Sequence, residues 1–258
     1  MSRISQFAPT VTELRAAGDR IERHRHDEHQ LVYVSTGVIA VSTSAGRWVA
    51  SAERAVWLPA GTWHAHRFYG ASAFHAVGFA IGDAPLADRE PTVVAVSPLL
   101  RELLVACTDE TLPAPEARRI RAVLRDQLRR TRQEPIMLPA ATDSRLAAAC
   151  ELVTADLETP WPLAALAARV GAGERTLSRL FREEFGMTYP QWRTRVRVFE
   201  AMVLLSGGAT VTETAHRCGW STTSSFIDTF QRSMGRTPGA YRVASSVSAD
   251  YLPRSNLR

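Results

Sequence analysis

The segment GWSTTSSFIDTFQRSMGRTPGAYR, residues 219–242, decides the fold of the second half of the chain. Its side chains Phe226 and Phe230 are four residues apart, so they share one stripe of a helix. The polar run STTSS stands where such a helix would begin, and Gly235 stands where it would end. The segment therefore predicts a short amphipathic helix between two turns.

A similar pattern occurs once before, 48 to 49 residues upstream. The shared positions are Ala167, Gly171, Leu177, Phe181 and Gly186 in the first copy, and Ala215, Gly219, Phe226, Phe230 and Gly235 in the second. Both copies end in related tails, GMTYPQWR and GRTPGAYR. In each copy a short helix ends at a glycine and a second helix follows, and the two alanines stand where the helices would cross closely. The sequence thus predicts helix-turn-helix written twice.

The polar faces of the two second helices carry side chains that suit DNA. Arginine can donate two hydrogen bonds to guanine, while serine and threonine can reach bases or phosphates. The predicted contacts are Arg175, Thr176, Ser178, Arg179 and Arg182 in the first copy, and Thr223, Ser224, Ser225 and Asp228 in the second. The bland alternative is that the outside of any small helical bundle is polar.

Charge and composition agree with a DNA partner. Residues 161–242 contain eleven arginines and six acidic residues, although all 31 basic residues of the chain are arginine, as codon bias alone would give. With 45% hydrophobic and 22% charged residues, we expect an ordinary globular protein. The sequence has no apolar run of membrane-spanning length and no signal-peptide core, so we expect a cytoplasmic protein without a membrane partner. The three cysteines are far apart, so we expect neither disulfides nor a zinc knuckle.

Residues 143–242 resemble the DNA-binding module of the AraC/XylS family of transcription regulators. The matching positions are Gly219, Phe226, Phe230, Gly235, Thr237, Pro238, Tyr241 and Arg242. The resemblance implies two recognition helices in successive major grooves, joined by a long helix at about residues 190–206. Candidate phosphate contacts on that helix are Arg193, Arg195 and Arg197, with a solvated helix face as the alternative.

Two positions depart from the family pattern. Asp228 stands where the family commonly has arginine, and Gln231 where it commonly has a basic residue. A carboxylate repels phosphate unless it accepts a hydrogen bond from a cytosine amino group. We therefore expect the second copy to bind DNA more weakly or more selectively than the first.

The first half of the chain has a different periodicity. Residues 21–82 alternate apolar and polar in short runs separated by turns, which predicts several short antiparallel strands. From residue 97 onward, apolar residues recur three and four apart, which predicts two amphipathic helices. The second of these places Ile120, Leu124 and Leu128 on one stripe.

Histidines stand out among the predicted strands. His24 and His26, two apart in HRHDEHQ, face the same way on a strand, while His29 should face out. With PAGTWHAH, which contains His64, this stretch resembles the two motifs of the cupin family, a small antiparallel barrel whose histidines converge inside. Gln30 stands where metal-binding cupins have glutamate.

Three interpretations of these histidines stay open. The set His24, His26, Gln30 and His64 suits a divalent transition metal such as zinc, nickel or iron by ligand type. Alternatively, the same residues with His66 line the pocket of a small effector, and His75 is a lesser candidate. In the third interpretation the histidines only satisfy local hydrogen bonds.

The sequence as a whole predicts a two-domain transcription regulator that is not an enzyme. An N-terminal all-β cupin-like barrel with following helices (residues 1–135) senses an effector, and a linker (136–142) follows it. An all-α double helix-turn-helix domain (143–242) then binds promoter DNA, and a tail (243–258) ends the chain. Further expected partners are a small effector, RNA polymerase if the protein activates, and a second copy of the chain.

Two other classes of protein compete with this interpretation. A metal-dependent cupin enzyme with a helical tail would need a carboxylate ligand at Gln30, and it leaves the repeat unexplained. A DNA-bending protein without an effector explains the repeat but not a barrel with inward histidines.

Overall fold

The computed structural model describes residues 3–87, 89–134 and 137–246. It divides into two compact units, the first of which contains the residues up to Met137, while the second spans Leu138–Arg242. The first is rich in β-sheet and the second is helical, as the sequence predicts. The predicted boundary between residues 135 and 136 lies outside the described residues, as do residues 247–258 of the predicted tail.

The first unit is a mostly antiparallel sheet followed by two helices. Its strands lie in the order β1-β3-β7-β4-β6-β8-β9, with β2 paired to β7 and β5 paired to β4. Their bounds are β1 (Arg3–Ser5), β2 (Val11–Arg15), β3 (Arg20–His26), β4 (His29–Thr43), β5 (Gly46–Ala50), β6 (Arg54–Leu58), β7 (His64–Phe79), β8 (Thr92–Ala95) and β9 (Gln133–Glu134). A 3-10 turn spans Ile81–Asp83, the helices are α1 (Pro98–Cys107) and α2 (Ala114–Arg130), and β10 (Met137–Pro139) follows them. The sheet therefore begins before residue 21 and continues beyond residue 82.

The prediction of short strands is wrong for β4 and β7, which have 15 and 16 residues. They pair with each other from His29 opposite Phe79 to Thr43 opposite His64. Gly37 lies inside β4, where register shifts near Thr36 disturb the pairing. Such irregularities let a long strand bend without ending.

The two faces of the sheet have different neighbours. On β4, Val32 and Val34 belong to an interior cluster to which β5, β6, β7 and β8 also contribute side chains. Leu31 and Tyr33 point the other way and pack with helices α1 and α2. The buried helix residues on that side are Leu100, Leu104, Leu124 and Leu128. Two of the three residues of the predicted α2 stripe thus cover the outer face of the sheet.

The second unit contains seven described helices. Their bounds are α3 (Ser144–Ala155), α4 (Leu163–Arg169), α5 (Glu174–Phe185), α6 (Tyr189–Ser206), α7 (Val211–Arg217), α8 (Thr223–Met234) and α9 (Pro238–Ser246). Helices α4 and α5 form the first helix-turn-helix unit, and α7 and α8 form the second. Helix α6 links the two helix-turn-helix units. It begins with a reciprocal capping box formed by Thr188 and Gln191. The buried alanines Ala167 and Ala215 hold equivalent places in α4 and α7, as the repeat predicts.

Candidate functional site

The first helix-turn-helix unit presents one face of α5 to solvent. Leu177, Leu180, Phe181 and Phe185 are buried against a core that includes Leu146, Ala149 and Val153 of α3. Because these four residues occupy one stripe, the opposite stripe of α5 projects outward. The outward stripe is therefore available to a partner.

The predicted DNA contacts of the first copy lie on that outward stripe. Arg175, Arg179 and Arg182 are exposed, and Thr176 and Ser178 are half-buried. Arg179 Nη1 lies 2.7 Å from Glu183 Oε2, and Arg182 Nη1 donates to Ser178 Oγ at 3.3 Å. Exposed ion pairs of this kind contribute only about 0.3–0.5 kcal/mol, so Glu183 can release Arg179 to a stronger acceptor.

Helix α8 has a similar core and a different surface. Phe226, Phe230 and Met234 are buried, while Ser224 and Asp228 are exposed. Thr223 and Ser225 are half-buried, and Ser225 Oγ donates to the Thr222 carbonyl at 2.9 Å. The first two turns of α8 carry Asp228 and no arginine, so their outward face offers hydroxyl groups and one negative charge.

The arginines of the linking helix α6 divide into two kinds. Arg195 is exposed. Arg193 Nη2 donates to the Leu157 and Thr159 carbonyls at 3.3 and 2.7 Å, and Arg197 Nη2 donates to the Gly219 carbonyl at 2.6 Å. Burial lowers the pKa of Arg197. The guanidinium groups of Arg193 and Arg197 thus already bind carbonyls within the protein. Of the three phosphate contacts that the sequence suggested, Arg195 is the one whose side chain is exposed.

Histidines from β3 and β7 converge in the first unit. His24 lies opposite His64 in the pairing of these strands, and their ring centroids are 4.2 Å apart. Nitrogen atoms of His24, His64 and His66 all lie within 4.8 Å of one another. The ring of His26 is 5.0 Å from that of His24 and 5.5 Å from that of His64. The four imidazoles form one group, called here the histidine cluster.

Hydrogen bonds orient two rings of the histidine cluster. His24 Nδ1 lies 2.7 Å from the Glu22 carbonyl and His64 Nδ1 lies 2.8 Å from the Thr62 carbonyl. A carbonyl oxygen only accepts, so each Nδ1 carries the proton and each Nε2 keeps a free lone pair. Among the described residues, buried His64 Nε2 and His66 Nδ1 have no hydrogen-bond partner.

The electrostatics at His26, His64 and His66 favour neutral rings. Burial is the main cause that lowers the pKa of His64 to about 3, and nearby His24 adds to it. Burial and the neighbouring histidines hold the pKa of His66 well below its usual value, and burial also lowers that of His26. The lowered pKa values of His26, His64 and His66 favour the uncharged imidazole at neutral pH, the form in which histidine binds a metal or accepts a hydrogen bond.

Gln30 stands on the interior side of β4. It is buried and has the same strand parity as Val32 and Val34, which line the interior cluster. Its Oε1 atom has no hydrogen-bond partner among the described residues. The three-histidine group nevertheless contains His66, which the sequence suggested only for an effector pocket and not as a metal ligand.

Two other histidines lie apart from the cluster. His29 stacks on Trp57, whose side chain packs on the helix-covered face of the sheet with Leu31 and Tyr33, so His29 points away from the interior as predicted. His75 contacts Tyr33 and lies 3.0 Å from Ser35 Oγ and 2.9 Å from Thr108 Oγ1. His75 is therefore held in a hydrogen-bond network on the helix-covered side of the sheet, apart from the histidine cluster.

Two features of these sites escaped the sequence argument. The spacing of His64 and His66 repeats that of His24 and His26, which puts each pair on one face of its strand, but no sequence signal marked His66 as a possible metal ligand. Arg193 and Arg197 are four residues apart and share one side of the helix, whereas Arg195 lies on the opposite side, and this period is the signal that would have separated the inward arginines from the outward one.

Comparisons with known proteins agree with this geometry. A family model described as a helix-turn-helix domain matches residues 166–244, and a cupin domain model matches residues 11–78. The chain is 29% identical over 221 residues to the HTH-type transcriptional regulator NimR of Escherichia coli (strain K12), covering 84% of this chain and 81% of NimR. The chain is a regulator of the AraC/XylS type.

Two further matches each cover less than half of the chain. The HTH-type transcriptional activator RhaR of Salmonella typhi is 34% identical over 125 residues, which are 47% of this chain and 44% of RhaR. A solved structure, the DNA-binding domain of AdpA in complex with a target DNA, is 31% identical and covers 43% of this chain and 100% of that chain, with a TM-score of 0.40.

These findings establish the general function. The AraC-type regulator combines a cupin domain with a helix-turn-helix domain that binds DNA. Within the described residues, no helix combines the length and apolar character needed to cross a membrane.

Proposed function

We propose that this AraC-type regulator reads promoter DNA mainly through α5, and that a ligand held by the cupin domain controls its binding or activation. The observation that supports this proposal most directly is the difference between the outward faces of the two reading helices. Arg175 and Arg179 project from the first two turns of α5, whereas the corresponding turns of α8 present Asp228 and hydroxyl groups. The N-terminal turns of a recognition helix are the part that reaches base edges.

The proposed DNA surface contains most of the predicted residues. It comprises Arg175, Thr176, Ser178, Arg179 and Arg182 of α5, Thr223, Ser224, Ser225 and Asp228 of α8, and exposed Arg195 of α6. Arg193 and Arg197 stay outside it because their guanidinium groups already bind carbonyls.

The proposed ligand site is the histidine cluster with Gln30. Buried nitrogen and oxygen atoms without partners cost free energy unless something binds them, so these atoms favour a ligand over purely local hydrogen bonding. A bound ligand controls DNA binding if its affinity differs between two arrangements of the protein.

The proposal includes the cellular setting. A regulator of this type works in the cytoplasm, contacts RNA polymerase if it activates, and pairs with a second copy when its site is symmetric. A metal-dependent cupin enzyme is the second candidate function. The histidine cluster is the observation that supports it. The tandem helix-turn-helix repeat argues against it, because a cupin enzyme leaves that repeat unexplained.

The test uses the full chain and duplex DNA recovered by genome-wide mapping of bound sites. We expect specific binding whose association constant falls linearly with salt on logarithmic axes, because neutralised phosphates release counterions. A folded full chain that binds no DNA at low salt would refute the proposal. Turnover of a small substrate by metal-loaded protein, without DNA binding, would favour the enzyme.

A further inference from the structure

We propose that the histidine cluster binds one divalent transition-metal ion through the imidazole nitrogens of His24, His26, His64 and His66, with His66 taking the place of the carboxylate that the cupin motif supplies. This inference deepens the proposed ligand control, on which its regulatory meaning rests, by naming the class of ligand. It also changes the ligand set suggested by the motif, which included Gln30 and omitted His66.

The geometry of the cluster supports this ligand set. The nitrogen atoms of His24, His64 and His66 are near enough for one ion to reach all three after small side-chain movements. Backbone carbonyls hold Nδ1 of His24 and of His64, which is the usual outer-shell arrangement that fixes the tautomer of a metal-binding histidine. His64 Nε2 and His66 Nδ1 are buried without partners among the described residues. A metal ion would satisfy both atoms at once.

The donor atoms define the class of metal. Imidazole nitrogen suits zinc, nickel, cobalt and copper, whereas calcium and magnesium require oxygen ligands. Four neutral ligands leave the full positive charge of the ion inside the domain. Binding therefore changes the local electrostatics strongly, which is what a controlling ligand needs to do.

The experiment measures Zn²⁺ binding to the full, untagged chain by calorimetry, and Co²⁺ binding by its visible spectrum. We expect one Zn²⁺ per chain and the spectrum of a tetrahedral, nitrogen-bound Co²⁺. His66→Gln should lower the affinity at least about tenfold. His75→Gln is the matched control, because it removes a buried histidine outside the cluster, and its affinity should stay within about threefold of wild type.

Each result decides the ligand set. No stoichiometric metal in the wild type overturns the site, whatever the DNA-binding result. Full affinity in His66→Gln together with a loss in Gln30→Ala returns the ligand set to the motif. If His66→Gln fails to fold by circular dichroism, the Co²⁺ spectrum of the wild type decides, since an octahedral spectrum contradicts a four-coordinate site made of the four imidazoles alone.

We also infer that Arg193 and Arg197 are positioning residues that set the angle between the two reading helices. They stand one helical turn apart on α6. One binds the segment that leads into the first helix-turn-helix unit, and the other binds the turn of the second. Arg193 binds carbonyls in the loop between α3 and α4, which belongs to the first core. Arg197 binds the Gly219 carbonyl in the turn between α7 and α8, and its guanidinium lies over the Trp220 ring at 5.4 Å.

The two segments that these arginines bind are in contact at Gly219. A Cβ atom on Gly219 would lie 2.0 Å from the Leu157 carbonyl oxygen and 2.9 Å from Arg197 Nη2. The turn between α7 and α8 therefore touches the loop between α3 and α4, directly beside Arg197. This contact, together with the hydrogen bonds of Arg193 and Arg197, is called here the arginine joint. Because two helices that enter successive grooves must match the helical repeat of DNA, this joint fixes the spacing of the two half-sites.

The experiment compares Arg197→Gln and Arg193→Gln with Arg195→Gln on two DNAs, the natural site and the same site with one base pair inserted between its halves. We expect the wild type to prefer the natural site at least about tenfold, and the two joint variants to lose most of that preference. Arg195→Gln should keep the preference and reduce the salt slope by about one, as a lost phosphate contact does.

The opposite pattern overturns the inference. If Arg197→Gln and Arg193→Gln keep the spacing preference and each reduces the salt slope by about one, both residues are phosphate contacts. If both change neither quantity, they have no role in DNA binding. Thermal unfolding of each variant identifies one that has lost its fold, and the other then decides.

Discussion

The two helix-turn-helix units share a core and differ on their surfaces. Phe181 in the first unit and Phe230 in the second are fully buried at equivalent positions, and both reading helices end at a glycine. On the outside, α5 presents Arg179 where α8 presents Asp228. Packing fixes the shape and volume of core residues, whereas exposed residues are free to change with the DNA they meet. The repeat therefore keeps its architecture while its halves diverge in what they read.

Removal of the core phenylalanines tests the shared half of the comparison, with the largest expected effect. Phe181→Ala and Phe230→Ala should each destabilise the protein by about 3–5 kcal/mol, because each leaves a cavity among buried side chains. Denaturant unfolding followed by the helical circular dichroism signal measures both, with exposed Gln231→Ala as the control. A large loss in one variant and none in the other would show that the cores are not equivalent.

The glycines of the two turns have similar backbone conformations but different surroundings. Gly171 and Gly219 hold equivalent places with φ angles of 66° and 75°. A Cβ atom at Gly171 would meet nothing within 4 Å, whereas one at Gly219 would collide with the Leu157 carbonyl. Gly171→Ala should therefore cost about 1 kcal/mol of left-handed strain, and Gly219→Ala about 3 kcal/mol or more because overpacking adds to it. Equal losses in denaturant unfolding would mean that the turns are packed alike.

Charge substitutions on the reading helices test the divergent half. Arg179→Ala should weaken specific binding by about tenfold or more and relax base preference in one half of the site, because a bidentate contact to guanine is lost. Asp228→Ala should strengthen binding to nonspecific DNA, because the polyanion no longer meets that negative charge. Fluorescence anisotropy with specific and random duplexes measures both. Unfolding curves should stay unchanged, since both side chains are exposed.

The smallest expected effect concerns helix starts. Thr222 caps α8 by accepting from Ser225 N at 3.1 Å, while Gly173 begins α5 without a side-chain cap. Thr222→Ala should cost about 1 kcal/mol, and Gly173→Ser should stabilise by a few tenths of a kcal/mol. Thermal unfolding measures the pair. Opposite signs would mean that the reading helices start in another way.

The helical domain was more predictable from the sequence than the sheet. The 3.6-residue period of Leu177 and Phe181 and the terminal glycines mark local structure, so the repeat predicted both reading helices. Strand ends were harder, because β4 continues through Gly37 by an irregular pairing with β7, which is distant in sequence. Pattern alone could not distinguish a bend within a strand from a turn between two strands.

The candidate sites show the same division between local and distant information. Strand parity was enough to place His24 and His26 on one face. It could not show that His66 would approach His24, because that depends on the pairing of β3 with β7 and on the convergence of their rings. Likewise, a flexible arginine on a helix can reach outward to phosphate or inward to a carbonyl, and only the fold decides between them for Arg197.

The most direct test of the difference between the two units is selection of binding sites by the full chain from a random DNA library. We predict a selected site in which one half has strongly defined base pairs, including a guanine that disappears when Arg179→Ala is used, and the other half is weakly defined. Two equally defined halves would contradict this account. So would a guanine that survives Arg179→Ala together with a cytosine that disappears in Asp228→Ala, because the second helix would then be the principal reader.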